Sequence, residues 1–136
     1  MSRSETLALI ERYYVAFNAG DGDTMLACLT DDVAHHINQG PCQVGKDVFR
    51  DFLAHMDRCY RERLEDIVIM ANEDGTRAAA EFVVHGHYLT TDEGLPEATG
   101  QGYVLPAGTF FDIVDGVISR VSVYYNLAEW NEQVNQ

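Results

Sequence analysis

The order of two hydrophobic patterns constrains the fold of this chain more than any other feature. Apolar residues recur at helical spacing in the first 60 residues, with Leu7, Ile10, Tyr14 and Phe17 as the clearest series. The rest of the chain is a succession of strand-like segments separated by turn residues. Helices that precede the strands, instead of alternating with them, predict an α+β domain with a mainly antiparallel sheet.

Three helices are predicted near the N-terminus. The first begins at a capping box formed by Ser2 and Glu5 and ends at Gly20, a residue suited to a left-handed cap. The second covers roughly residues 23–29 and the third roughly residues 46–60. The third carries a single apolar stripe, which is typical of a helix packed on a core.

Five strands and a final helical turn are predicted after the second helix. The strands cover residues 33–37, 64–71, 77–90, 101–114 and 117–126. We expect loops at residues 40–45 and 91–100, a two-residue turn at Asp115-Gly116, and a helical turn at residues 127–134. Three N-terminal helices on one side of a strongly curved sheet would form a cone-shaped roll that encloses a pocket.

Length and charge restrict the class of function. At about 150 residues per domain, 136 residues predict one domain, residues 1–136. Nine Lys and Arg residues against 22 Asp and Glu residues give a net charge of −13, which argues against nucleic acid and against anionic membranes as partners. No apolar run approaches the roughly 18 residues of a membrane span, and no signal-peptide pattern is present.

Cysteine usage indicates the compartment in which the protein functions, and motif content argues against a cofactor. Cys28, Cys42 and Cys59 are an odd number at wide spacing, so we expect three reduced thiols in a cytoplasmic protein. The sequence contains no Gly-x-Gly-x-x-Gly pattern, phosphate-binding loop or nucleophile elbow. We therefore expect neither a nucleotide nor a flavin.

Several segments together resemble a known family. They are Tyr13-Tyr14-Val15-Ala16-Phe17-Asn18-Ala19-Gly20-Asp21, Leu29-Thr30-Asp31-Asp32-Val33, Gly45 before the third helix, and Gly108-Thr109-Phe110-Phe111-Asp112-Ile113-Val114-Asp115-Gly116-Val117-Ile118. In order and spacing they are similar to the nuclear-transport-factor-2-like superfamily, and within it to SnoaL-like, ketosteroid-isomerase-related proteins. The resemblance covers almost the whole chain. It implies a cone-shaped roll with a ligand pocket at its open end and a homodimer packed through the outer sheet face.

Ketosteroid isomerase uses an Asp base and an oxyanion hole made by a Tyr and a protonated Asp. The resemblance places the Tyr at Tyr13, the base at Ile37 and the protonated Asp at Thr109. Only the first position matches, and Ile37 cannot carry a proton. The resemblance therefore implies a shared pocket with a different set of catalytic groups.

His35 is the predicted replacement for the missing base. Val33, His35 and Ile37 share one strand face, and the apolar pair predicts that this face points inward, with His36 outward. Histidine suits proton transfer near neutral pH. The alternative is a core histidine whose ring is satisfied by a hydrogen bond.

A second polar group lies on the long strand at residues 77–90. Glu81 and His85 share a face and could form a carboxylate-oriented imidazole if that face points inward; the alternative is a polar outer face or a dimer contact. His85 and His87 also have the spacing of metal ligands, and with His35 they would form a three-histidine set.

The remaining candidates would bind the substrate. They are Phe17, Ile37, Phe52, Met56, Glu81, His85, Thr109, Phe111, Tyr125 and Asn126. The aromatic and methionine side chains would line the pocket or belong to the core, and the last two lie at the end of the final strand.

The sequence and the resemblance together predict a cofactor-free isomerase or cyclase. It would act on a small hydrophobic carbonyl compound, polyketide-like or steroid-like, by removing a proton and stabilising the enolate. Tyr13 would donate to the oxyanion and His35 would be the base. Two alternatives stay open: a non-catalytic module that binds a small ligand or a protein, and a metal site built on His35, His85 and His87.

Overall fold

The computed structural model describes residues 2–136. Its elements follow the order α1 (Arg3–Ala19), α2 (Gly22–Ala27), β1 (Leu29–Ile37), β2 (Cys42–Val44), α3 (Lys46–Cys59), β3 (Tyr60–Ala71), β4 (Arg77–Tyr88), β5 (Gly102–Val114), β6 (Val117–Tyr125) and α4 (Leu127–Val134). The predicted α+β class is confirmed: helices pack on a curved, unclosed sheet of six strands.

Local chemistry sets the ends of α1. Ser2 accepts a hydrogen bond from the Glu5 N–H, and the Glu5 carboxylate accepts one from the Ser2 N–H, so the predicted capping box is present. Gly20 ends the helix with a φ of 69°, where a residue with a side chain would be strained. The buried side of α1 includes Ile10, Tyr13 and Tyr14.

The strand order across the sheet is β2-β1-β6-β5-β4-β3. Every neighbouring pair is antiparallel except β1 and β6, which are parallel and place His35 opposite Val121. Alternate residues of β4, from Ala78 to Tyr88, are buried, while those between them are exposed or partly exposed. The sheet therefore has an inner face under the helices and an outer face.

Several boundaries differ from the prediction. Strand β1 starts at Leu29, inside the predicted second helix, and β2 lies in the predicted loop. Strand β3 begins at Tyr60, directly after α3, because Tyr60 takes an extended backbone while its N–H still caps the carbonyl of Met56. Strand β5 continues through Pro106, because β6 pairs with β5 only from Ala107 onward and proline is tolerated beside an open edge.

The core lies between the inner sheet face and the helices. Its fully buried members include Ile10, Val33, Phe49, Phe111 and Ile118. All three cysteines are free thiols. None of the helices within residues 2–136 combines the length and hydropathy that a membrane crossing requires.

Candidate active site

One row of paired residues crosses three strands at one end of the inner face. Tyr103 on β5 lies opposite Gly86 on β4, which lies opposite Glu62 on β3. The Tyr103 hydroxyl donates a 2.5 Å hydrogen bond to Oε2 of the partly buried Glu62. Burial raises the pKa of the Glu62 carboxyl, and the bond from Tyr103 opposes that rise. This carboxyl therefore keeps a proton more readily than an exposed glutamate does.

A second carboxyl, Asp92, comes from the loop between β4 and β5. Its Oδ2 accepts a 2.7 Å hydrogen bond from the Tyr60 hydroxyl, and its Oδ1 lies 3.0 Å from Nε2 of His55 on α3. The Asp92 N–H donates to the Tyr88 hydroxyl at 2.8 Å, and that hydroxyl donates to the carbonyl of Pro96 at 2.7 Å. The loop is thus fastened to the start of β3 and the end of α3.

Aromatic rings surround the two carboxyls. Tyr60 and Tyr88 are stacked with ring centroids 5.3 Å apart, and Trp130 of α4 meets Tyr88 edge-on at 5.1 Å and Tyr103 edge-on at 6.0 Å. Tyr60 and Tyr125 are partly exposed, whereas the other three rings are buried. The five rings form an aromatic cluster with polar groups beside it, the composition that is usual at a small-molecule site.

The three phenols beside the carboxyls differ in their hydrogen bonds. Tyr60 donates to Asp92 and Tyr103 donates to Glu62. No side-chain hydrogen bond described for residues 2–136 uses the Tyr125 hydroxyl. Burial raises the pKa of Tyr125, and the negative charges of Glu62 and Asp92 raise it further. Tyr125 is therefore a protonated donor available to a ligand, beside a carboxyl that can accept a proton.

Tyr13 lies in the core. Its ring is 5% exposed and packs edge-on against Tyr14 at 5.1 Å and Phe111 at 5.9 Å. Burial raises its pKa well above the usual value. No hydrogen bond or ring contact in the described residues joins Tyr13 to His35.

His35 points inward, as strand alternation predicts. It is 3% exposed, stacks on Phe49 at 4.4 Å and meets Phe52 edge-on at 4.7 Å. Burial lowers its pKa to about 4, with a smaller contribution from His36. Its Nδ1 has no hydrogen-bond partner among residues 2–136. The ring is thus a neutral imidazole beside two phenylalanine rings, and its Nδ1 lacks the hydrogen bond that the core alternative predicts.

The other inward candidates differ in how far they are buried. Phe17, Ile37, Phe52 and Met56 are partly exposed, whereas Phe111 and Thr109 are buried. The Thr109 side chain is close enough to the Tyr14 phenol to form a hydrogen bond with it. Asn126, predicted to bind the substrate, instead caps α4 by accepting a 3.0 Å hydrogen bond from the Glu129 N–H.

Glu81, His85 and His87 lie on the outer face. They occupy the exposed or partly exposed positions of β4, and Nε2 of His85 lies 2.7 Å from a carboxylate oxygen of Glu65. The interpretation that Glu81 and His85 line the pocket is therefore wrong, as is the three-histidine metal set, because His35 is on the inner face. Both faces of this strand carry apolar residues, so alternation could not say which one the helices cover.

Another set of side chains has the donors that a metal ion needs. Atoms of His55, Cys59 and Asp92 lie within 4.8 Å of one another. Both ring nitrogens of His55 are already used, however: Nδ1 lies 3.0 Å from the Arg58 guanidinium and Nε2 lies 3.0 Å from Asp92. A guanidinium can only donate, so Nε2 carries the ring proton and a cation would have to displace it.

Four residues of this candidate site are not among those predicted from the sequence: Tyr60, Glu62, Asp92 and Tyr103. A signal was present, since Tyr60, Glu62 and Leu64 alternate and a carboxyl on an apolar strand face is unusual. The prediction that the helix reaches residue 60 and the strand starts at residue 64 hid this alternation.

Comparison with solved structures shows the same fold in bacterial relatives. A candidate polyketide cyclase from Pseudomonas putida is 61% identical, with a TM-score of 0.94 over 95% of this chain and 97% of that one. Candidate polyketide cyclases from Xanthomonas campestris (97% of this chain, 98% of that one) and from a Silicibacter species (98% of each) are both 58% identical, with TM-scores of 0.94. No curated protein matches.

The family model for the SnoaL-like domain matches residues 10–121. That span begins in α1 and ends in β6, and it contains Glu62, Asp92 and Tyr103. The match covers most of the chain, and the architecture is that of the expected superfamily. The chain belongs to the SnoaL-like domain family.

Proposed function

We propose that this protein is a cofactor-free enzyme that removes a proton adjacent to the carbonyl of a small hydrophobic compound, polyketide-like or steroid-like. The observation that carries the proposal is the setting of Glu62, a partly buried carboxyl that forms no ion pair among the described residues and lies beside the Tyr125 phenol in the aromatic cluster. Such a carboxyl has the chemistry of a general base. The description of the relatives as candidate polyketide cyclases supports the same substrate class.

Each group has a defined role in the proposed reaction. A Glu62 carboxylate oxygen takes the proton from the carbon next to the carbonyl. The electron pair of that C–H bond becomes the enolate double bond, and the carbonyl electrons move onto oxygen. The Tyr125 hydroxyl donates a hydrogen bond to this oxygen. Where a C=C bond adjoins the enolate, Glu62 returns the proton to the far carbon of that bond, which gives an isomer. Where the enolate carbon attacks a second carbonyl and closes a ring, Glu62 returns the proton to the new alkoxide oxygen.

This proposal transfers the two predicted roles to other residues. An imidazole with a pKa of about 4 is a weak base, and His35 is enclosed by Phe49 and Phe52. Tyr13 is buried in the core. We therefore assign a structural role to both residues. We assign proton transfer to Glu62 and donation of a hydrogen bond to the enolate oxygen to Tyr125.

Deuterium exchange tests the proposal without knowledge of the natural substrate. Acceleration of exchange at the α-carbons of 2-tetralone in D₂O, followed by proton NMR, would report proton removal directly. We expect the wild-type protein to accelerate exchange and Glu62→Gln to reduce the acceleration by about 10²–10⁴-fold, the usual contribution of a general base. Glu65→Gln is the matched control, because Glu65 is on the same strand but contacts His85 on the outer face of the sheet. Its exchange rate should equal that of the wild type.

Saturation-transfer NMR on the same samples separates catalysis from binding. If the ketone binds to the wild-type protein but its exchange is not accelerated, the protein is a non-catalytic binding module and not an enzyme. Equal exchange rates for Glu62→Gln and wild type would remove Glu62 as the base. If His35→Ala abolished exchange while Glu62→Gln did not, the base would be His35.

We also propose that two copies associate through the outer face of the sheet. Large apolar side chains are half-exposed there, among them Met70, Val104, Phe110 and Tyr124. Two clefts of about 360 and 510 Å³ on this side of the sheet are both lined by Met70 and Phe110. A second copy is the occupant that the family resemblance implies, and it would remove this apolar surface from water.

Location in the cytoplasm is a further part of the proposal. Cys28 and Cys59 are buried free thiols, and Cys42 is an exposed one. Unpaired thiols are typical of proteins that function in a reducing compartment.

A further inference from the structure

Gly86 occupies the middle position of the row that joins Tyr103 to Glu62. Strands lie about 4.8 Å apart, so residues on β5 and β3 that face each other across β4 are separated by about 10 Å. The Tyr103 phenol nevertheless reaches the Glu62 carboxylate at 2.5 Å. The Tyr103 ring must therefore lie flat across β4.

The space for this ring depends on the absence of a side chain at residue 86. A Cβ atom placed on Gly86 would lie 2.5 Å from the phenol oxygen of Tyr103 and closer still to two carbons of its ring. The backbone of Gly86 does not require glycine, because its φ lies outside the left-handed region. Close approach of the Tyr103 ring is thus the physical reason for glycine at this position.

We propose that Gly86 is a positioning residue of the active site. It leaves the space that the Tyr103 ring needs to cross β4, and Tyr103 in turn holds the Glu62 carboxyl by a hydrogen bond. The proposal rests on the assignment of Glu62 as the proton acceptor. It adds a residue that touches neither substrate nor reacting atoms and acts through Tyr103 alone.

The consequence concerns the proton affinity of Glu62. The hydrogen bond from Tyr103 favours the carboxylate and so lowers the pKa that burial raises. The other titratable groups beside this row are Tyr125 from β6, whose pKa is raised by the charges of Glu62 and Asp92, and Tyr60 from β3, which lies near Tyr103. Loss of the Tyr103 bond leaves burial unopposed, so the Glu62 pKa rises.

The test is a titration of the Glu62 side chain that needs no substrate. Carbon-13 NMR of the Glu62 Cδ would be followed against pH in the wild type, Gly86→Ala, Tyr103→Phe and Gly102→Ala. We expect Gly86→Ala and Tyr103→Phe to move the Glu62 pKa upward. Gly102→Ala should leave it unchanged, because a Cβ there meets His87 at an ordinary 3.6 Å.

Each outcome decides one of the two proposals. An unmoved Glu62 pKa in Gly86→Ala, with or without a shift in Tyr103→Phe, overturns the role of Gly86. A shifted pKa in a protein that catalyses no exchange leaves the role of Gly86 intact and overturns the proposed function. If exchange is catalysed, its acid limb should move to higher pH in both variants.

A stability comparison covers the case in which Gly86→Ala does not fold. Tyr103→Val removes the ring that the new methyl group would meet. The double variant Gly86→Ala/Tyr103→Val should then fold as well as Tyr103→Val alone. Equal damage by Gly86→Ala in both backgrounds would show that the Tyr103 ring is not the cause and would overturn the proposal.

Discussion

Burial favours the neutral form of two titratable residues on the inner face of the sheet. Glu62 has a raised pKa and His35 has one lowered to about 4. The difference between them is in their partners: Glu62 receives a hydrogen bond from Tyr103, whereas His35 Nδ1 receives none from the described residues. Burial thus makes the Glu62 carboxyl easier to protonate and the His35 imidazole harder to protonate.

The lowered pKa of His35 predicts a specific dependence of stability on pH. The unfolded chain binds a proton at His35 below pH 6.5, while the folded protein does so only near pH 4. The contribution of His35 to the free energy of unfolding is therefore fully present above pH 6.5. It is lost as the pH falls toward 4, and the loss amounts to about 3 kcal/mol. Urea unfolding of the wild type between pH 7 and pH 4 should show this loss, and His35→Phe should remove most of it.

His87→Gln is the matched control for that measurement. His87 is exposed on the outer face, so its replacement should leave the pH dependence of the wild type unchanged. If His35→Phe retains the full loss of stability between pH 7 and pH 4, His35 is not the group that titrates.

At the scale of elements, the N-terminus of α1 is fixed to the turn between β3 and β4. The hydroxyl of Thr6, which is fully buried, donates a 2.6 Å hydrogen bond to the carbonyl of Gly75. Gly75 has a φ of 73°, and a Cβ on it would lie 2.6 Å from the Ser2 carbonyl oxygen and 2.8 Å from Thr6 Oγ1. Contact and backbone conformation therefore both require glycine at the point where helix and hairpin meet.

Gly75→Ala should destabilise the fold more than a positive φ alone explains. We expect it to lower the free energy of unfolding by about 2–3 kcal/mol, because left-handed strain of roughly 1 kcal/mol adds to the displacement of α1. Urea unfolding measures the effect. Gly94→Ala is the control, since Gly94 has a φ of 85° and no atom within 4 Å of an added Cβ, and it should cost only the strain. Equal losses for both variants would contradict the contact argument.

The junction of α3 and β3 shows why element boundaries decided the site prediction. The apolar stripe of α3 cannot show where the helix stops, because Tyr60 fits both a helical stripe and a strand face. The structure ends α3 at Cys59 and begins β3 at Tyr60. That shift turns Tyr60 and Glu62 into inner-face residues of one strand.

For the whole molecule, the proposed dimer depends on the outer sheet face. Phe110, 50% exposed, and Tyr124, 55% exposed, meet edge-on with centroids 5.8 Å apart. Phe110→Glu would place a charge in this apolar patch on both copies, in a chain whose net charge is already −13. We expect wild-type protein to have twice the chain mass of 15.2 kDa by light scattering and Phe110→Glu to have the mass of one chain.

Val15→Glu is the control, because Val15 is 64% exposed on α1 and away from the sheet. It adds the same charge and should leave the dimer intact. A wild-type mass of 15.2 kDa, or a dimer that survives Phe110→Glu, would contradict association through this face.

The fold class, most elements, the inward direction of His35 and the family could be predicted from the sequence, because periodicity, caps and turn residues are local properties. The candidate site could not be predicted, because its residues come from distant segments that only the folded chain brings together. Glu62, Asp92, Tyr103 and Tyr125 come from three strands and a loop, and their meeting depends on strand order. The same pairing decided that Glu81 and His85 face outward, because alternation separates two faces but only packing shows which one the helices cover.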